Sequence, residues 1–149
     1  MKIKDFEAES TMGKINLSNI LKEKDFIVIY FYPKSFTSGC TRELKRFVEL
    51  YEEFKKYNTE IIGVSHDNIE TQKKFAEKYG AKFPLIADPD LKIINLFNAK
   101  SDRGKGAARI TYIINKDLDI VDILKSLKSP EEHAERALEK IKELNNIKK

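Results

Sequence analysis

Apolar residues fall along this chain in two rhythms. The run "FIVIYFY" (26–32) is apolar at every position, which predicts a strand covered on both faces. From Thr41 to Tyr57 the rhythm changes. Leu44, Phe47, Val48, Tyr51 and Phe54 recur at helical intervals, the stripe of an amphipathic helix. "EIIGVS" (60–65) predicts a second buried strand. Residues 68–80 predict a helix closed by Gly80, which enters the left-handed region past a helix end without a Cβ clash. "FPLIAD" (83–88) is a short extended piece whose Pro84 marks an edge or a strand start. Residues 89–97 predict a short helix with Pro89 at its first position, where a missing N–H costs nothing. "ARITYII" (108–114) and "DIVDILK" (119–125) predict strands joined by the turn-like "NKDL". Residues 129–144 predict the terminal helix, with Ser129 capping, Pro130 at the first position and Glu132 completing a capping box.

The resulting order, β-α-β-α-β-(α)-β-β-α, predicts an α/β layered domain. The late hairpin makes the central sheet mixed. Strand-helix-strand-helix followed by hairpin and helix is the thioredoxin-like order. The residues ahead of Phe26 form a short N-terminal extension that adds a small hairpin. The chain of 149 residues shows no internal repeat or low-complexity linker, so 1–149 is expected to be one domain with one core.

Composition removes several function classes. With 41% hydrophobic and 35% charged residues, a folded protein with a well-solvated surface is expected. The net charge of +4 is scattered, and no basic run is interleaved with aromatics, so no nucleic-acid partner is expected. The N-terminus lacks an apolar signal core and no stretch approaches a membrane span, so no membrane partner is expected. A single cysteine makes no internal disulfide, and the cytoplasm is the expected location. One Cys and two distant His do not make a metal site, and no cofactor is expected.

That cysteine, Cys40 in "PKSFTSGCTRE" (33–43), lies where a buried strand leads into a helix. Unsatisfied N–H groups and the dipole of a helix start favour negative charge, so a thiolate is stabilised there. Arg42 and Lys34 are close in sequence and add to the field. Ionising an ordinary thiol completely gains only about 30-fold at neutral pH. Proficient enzymes need about a millionfold or better, so donors that act on the substrate are required.

Thr37, on the turn entering the helix, is either an ordinary cap hydroxyl or such a donor. Arg109 is one of only five arginines, against 23 lysines, and it sits between Ala and Ile at a buried strand. It needs a partner or a ligand, and its planar fork suits an anion or a polar oxygen. Glu43 is either the carboxylate that holds Arg109 or a first-turn acid complementing the dipole. His66 allows a Cys–His pairing, but with no orienting carboxylate or amide identifiable it reads as a polar loop residue. His133, near the start of the last helix, reads as a surface residue.

With these residues in place, "YFYPKSFTSGCTRE" resembles the active-site loop of the peroxiredoxins, and most closely the bacterioferritin-comigratory, or Q-type, subfamily. The family's Pro, Thr and peroxidatic Cys fall on Pro33, Thr37 and Cys40. "GKGAARITYIIN" resembles the segment carrying the family's catalytic Arg, which falls on Arg109. "IIGVSHDNIETQKKFAEKYGAKFPLIADPD" resembles the middle of the fold, so the likeness covers nearly the whole chain.

The resemblance implies a thioredoxin-like fold of the peroxiredoxin type. It implies a thiol-dependent peroxidase acting on hydrogen peroxide and organic hydroperoxides through a sulfenic acid, with Arg109 and Thr37 holding the peroxide oxygens and Pro33 shaping the pocket. Two departures stand out. Ser38 replaces the family's usual Pro, and Lys45 stands where the subfamily often carries a resolving cysteine. The implied mechanism is therefore one-cysteine. Its partners are a peroxide and an external thiol reductant (thioredoxin-like, glutaredoxin-like or a low-molecular-weight thiol), in a monomer or homodimer. A redox-sensing or thiol-binding module of the same fold is the alternative.

Overall fold

The computed structural model describes residues 1–148, with side chains described to Asn146. The chain forms β1 (Glu7–Ser10), β2 (Gly13–Asn16), α1 (Leu17–Leu21), β3 (Phe26–Phe31), α2 (Ser38–Lys56), β4 (Thr59–Ser65), α3 (Ile69–Tyr79), β5 (Leu85–Ala87), α4 (Lys92–Leu96), β6 (Ile110–Asn115), β7 (Ile120–Leu124) and α5 (Glu131–Lys148). The strands make one mixed sheet in the order β2-β1-β5-β4-β3-β6-β7. This is the thioredoxin-like arrangement that the element order predicted.

β3 is central because both its faces are apolar. It pairs in parallel with β4 and antiparallel with β6. Its even-numbered residues Val28 and Tyr30, with Tyr32 just beyond the strand, pack with Leu44, Phe47 and Phe54 of α2 and with Ala134, Ala137 and Ile141 of α5. Its odd-numbered residues Ile27, Ile29 and Phe31 pack on the other face with Leu17, Leu21, Ile94 and Phe97. Period-two alternation on a strand thus feeds two separate helix layers. The parallel β3–β4 pair aims both strand C-termini at one end of the sheet. The antiparallel β6 begins, and β7 ends, at that same end, where four connections converge.

Several boundaries differ from expectation. α2 begins at Ser38, six residues ahead of Leu44, the first residue of its apolar stripe, and it holds Cys40 in its first turn, as expected. α4 does not start at Pro89. Asp88 accepts hydrogen bonds from Ile93 N (3.1 Å) and Ile94 N (2.8 Å), and Leu91 precedes the helix in the left-handed region (φ 62°). Asp88, further upstream, is therefore the cap, and Pro89 and Asp90 are looped out. The capping box of α5 does not form. The Ser129 carbonyl, not its hydroxyl, accepts from Glu132 N at 3.2 Å, in a turn that leads into a helix beginning at Glu131. α1 has no counterpart in the sequence reading, because five residues are too few to display a period.

Candidate active site

Cys40 is the third residue of α2 and only 1% exposed. The first backbone bond of the helix runs from Thr41 N to Thr37 O at 2.9 Å, so the N–H groups of Ser38, Gly39 and Cys40 precede the ladder. No acidic residue occupies that first turn. The dipole end is left to whatever negative charge the sulfur or a ligand brings.

The loop entering the helix is held from α3 and from the connection ahead of it. Ser35 N donates to Asp67 Oδ2 (2.8 Å), and Ser35 Oγ and Tyr32 Oη both donate to Gln72 Oε1 (2.7 Å each). Gln72 is fully buried, and its amide donates in turn to the Ile86 carbonyl at 2.8 Å. This anchoring holds Phe36 in the left-handed region (φ 68°) and leaves it 44% exposed. Thr37 follows as the backbone N-cap. Its hydroxyl makes no cap bond but donates to the Lys34 carbonyl at 2.6 Å. With its proton so engaged, Oγ1 has lone pairs free to accept.

Arg109 arrives from the other side, immediately before β6. Its Nη1 donates to Glu43 Oε1 at 2.6 Å and its Nη2 lies 3.6 Å from Cys40 Sγ. One guanidinium therefore spans the Glu43 carboxyl group and the sulfur. The fork reaches the helix start because residue 39 is glycine. A Cβ there would stand 2.9 Å from Arg109 Nη2 and 3.4 Å from Pro130 Cγ. Pro33, half-buried, turns its carbonyl toward Gly106, where a Cβ would lie 3.0 Å from it and run into the His66 ring. His66 is thus a wall of the neighbouring loop.

Glu43 is completely buried. Burial pushes its carboxyl up to about 8, with the Arg109 guanidinium pulling the other way. Its Oε2 has no hydrogen-bond partner among the described residues, and His133 Nδ1 stands 3.9 Å away. His133 is not a surface residue: it is 2% exposed and shares a 2.8 Å hydrogen bond with Thr111 Oγ1. Burial pushes its imidazole down to about 4, and the Arg109 charge adds to that. The physical reason lies in α5. Ala134, Ala137, Leu138 and Ile141 face the core, and residue 133 falls on the same stripe. Tyr30, opposite Thr111 in the β3–β6 ladder, completes the buried group. Its hydroxyl has no partner among the described residues, and burial raises it well above the usual phenol range.

Sequence reasoning missed Tyr30, Thr111 and Gln72. Each looks like core, and only a polar tip in an apolar strand or helix face could have marked it. Among the described residues no cluster of His, Cys, Asp and Glu could hold a metal ion, and no helix is long and apolar enough to cross a membrane.

Three comparisons bear on this site. The family model described as the AhpC/TSA family matches residues 1–123. A curated protein of Helicobacter pylori strain J99, named peroxiredoxin bcp, is 37% identical over 144 residues, covering 92% of this chain and 93% of its own length. The crystal structure of peroxidoxin BcpB from Mycobacterium tuberculosis superposes with a TM-score of 0.87 at 31% identity, over 95% of this chain and 94% of that one. Peroxiredoxin Q of Xanthomonas campestris gives 0.83 at 28%, over 94% and 91%.

Proposed function

The chain belongs to the AhpC/TSA family and is a peroxiredoxin, a thiol-dependent peroxidase, and from that premise we propose that Cys40 is its peroxidatic residue, acting by a one-cysteine mechanism. The observation that carries this reading is the Arg109 fork, 3.6 Å from Cys40 Sγ and 2.6 Å from Glu43 Oε1, at the open start of α2.

The Cys40 thiolate attacks the terminal oxygen of a hydroperoxide. An S–O bond forms, the O–O bond breaks, and the departing oxygen takes a proton and leaves as alcohol or water. Cys40 is then a sulfenic acid, the first rung of thiol oxidation. Negative charge moves from sulfur to the leaving oxygen, and Arg109 Nη2 with the free N–H groups of the first helical turn meets it there. Thr37 Oγ1, its own proton on Lys34 O, accepts from the peroxide O–H and orients the O–O bond toward sulfur. Pro33 closes the side of the pocket. Glu43 is a positioning residue that aims the guanidinium.

No second cysteine is present, so an external thiol attacks the sulfenic sulfur, water leaves, and a mixed disulfide forms. A second thiol releases Cys40. One hydroperoxide and two thiols yield one alcohol, one disulfide and one water. A cytoplasmic setting, with its supply of reduced thiols, suits this requirement.

Cys40→Ser tests the assignment. The two side chains are close in size, and peroxide consumption with excess dithiol is expected to vanish while circular dichroism stays unchanged. Residual turnover above a few per cent would overturn it.

A further inference from the structure

Two acids meet one cation at the start of α2. Arg109 Nη1 holds Glu43 Oε1 at 2.6 Å, and Nη2 of the same fork lies 3.6 Å from Cys40 Sγ. The other titratable groups that face Glu43 are Cys40 on its own helix, Tyr30 from β3 and His133 from α5. Burial keeps both the Tyr30 phenol and the His133 imidazole uncharged at neutral pH. Among the described residues, Glu43 pairs with no lysine and no second arginine. A single guanidinium does not offset two buried anions, so Cys40 and Glu43 compete for it.

The surroundings decide which acid keeps its proton. Cys40 is the third residue of α2, where the N–H groups precede the backbone ladder and the dipole favours negative charge. Glu43 is the sixth, past the turn over which that effect acts. Its Oε1 has the fork, but its Oε2 has no hydrogen-bond partner among the described residues, and the neutral His133 ring stands 3.9 Å away. Tyr30 Oη is also without a partner, so it does not donate to Oε2. Asp88, the other buried acid among the described residues, is built differently: its two oxygens accept from Ile93 N at 3.1 Å and Ile94 N at 2.8 Å. An unpartnered charge costs far more to bury than an unpartnered hydroxyl. The displacement of the Glu43 carboxyl up to about 8 has the same cause.

We propose that Glu43 works as a neutral carboxylic acid in the reactive enzyme, holding Arg109 by a hydrogen bond while leaving its charge to the Cys40 thiolate and the departing oxygen. This rests on the peroxidase reading and adds to it the protonation state in which the site operates. The proton stays on Glu43 throughout, and the departing oxygen takes its own from solvent at the mouth. Ionising Glu43 puts a second anion on the fork, draws charge away from the reacting atoms and slows oxidation. The coupling is reciprocal. Removing the negative charge at residue 40 frees the guanidinium for Glu43, whose carboxyl then ionises at lower pH.

The test is carbon-13 NMR of reduced protein labelled in its glutamate side chains, with the Glu43 carboxyl assigned through its own side-chain carbons. Wild type and Cys40→Ser are titrated from about pH 5 to about pH 10. Glu43 in wild type is expected to be protonated at neutral pH and to ionise at least about one pH unit higher than in Cys40→Ser. Over the same range, stopped-flow oxidation of wild-type Cys40 by hydrogen peroxide is expected to fall about tenfold as Glu43 ionises, a part of the ~10²–10³-fold that one such donor supplies. Glu43→Gln, which stays neutral and still accepts from the fork, is expected to show no such fall. An ionised Glu43 at neutral pH, the same titration in both proteins, or an alkaline fall that persists in Glu43→Gln would overturn the proposal and spare the peroxidase reading. The two titrations need no Glu43 variant and decide the matter even where Glu43→Gln does not fold. No oxidation of Cys40 at any pH would overturn the peroxidase reading itself.

Discussion

The two walls of the site are built in opposite ways. The wall made by the start of α2 is locked. Arg109 ties Glu43 to the sulfur, Pro130 covers Gly39, and Arg42 and Arg46 bind Glu131 and Glu135 of α5 at 2.8 and 2.9 Å. The wall made by residues 99–108 and 125–128 presents Lys100, Arg103, Lys105, Lys125 and Lys128 to solvent, and these cations have no acid partner among the described residues. The difference separates two tasks. Reaction at sulfur needs donors fixed to within a fraction of an ångström, so those side chains are buried and paired. The exposed side chains are under no such constraint: long and solvated, they supply a field without fixed geometry. Changes to the locked wall should therefore alter chemistry or stability for every peroxide, and charge changes on the exposed wall should leave the hydrogen peroxide rate unchanged.

The sharpest way to break that distinction is Arg109→Lys. It keeps the charge and loses the fork, so one group no longer reaches both Glu43 and the sulfur. The rate of Cys40 oxidation by hydrogen peroxide is expected to fall ~10²–10³-fold. A loss of less than about fivefold would make Arg109 structural.

A second lever is pH, through the buried back of the locked wall. His133 is held at about 4 when folded, against an ordinary value near 6.5, so the folded protein refuses a proton that the unfolded chain accepts. Its contribution to stability is complete above about 6.5 and is lost as pH falls toward 4. Glu43 has the opposite sign. Held at about 8, it binds its proton more readily when folded, so its contribution grows as pH falls from about 8 toward its ordinary range. Comparing wild type with His133→Gln largely removes the Glu43 part. The stability advantage of wild type, measured by urea unfolding, is expected to shrink by on the order of 3 kcal/mol between pH 7 and pH 4. A pH-independent difference would contradict a neutral buried imidazole.

Gly39→Ala should have a smaller effect. The added methyl stands 2.9 Å from Arg109 Nη2 and must push the fork back by a few tenths of an ångström. The expected result is a rate of Cys40 oxidation by hydrogen peroxide about tenfold lower, since the geometry of the fork is disturbed. An unchanged rate would show that the reaction does not depend on where the fork is held.

The layered fold was legible because it rests on periods. "FIVIYFY" on β3 and the α2 stripe each state their burial directly. Cys40 and Arg109 stood out for a different reason: a lone thiol at a helix start sits where negative charge is favoured, and an arginine in an apolar strand calls for a partner; that the partner is Glu43 was only one of two readings. The elements that failed are those decided by a side-chain partner that no period displays. Pro89 looked like a helix start because the side chain that caps α4, Asp88, sits upstream of it. His133 looked exposed because its partner, Thr111, is 22 residues away.

The most direct test of the account is intact mass after one equivalent of hydrogen peroxide at neutral pH without reductant, on wild type and on Cys40→Ser. Wild type is expected to gain about 16 Da for the sulfenic acid and, on adding a small thiol, to exchange that oxygen for one thiol held in mixed disulfide. The variant is expected to gain nothing. An unmodified wild type, or an equal gain in both proteins, would contradict the assignment of the chemistry to Cys40.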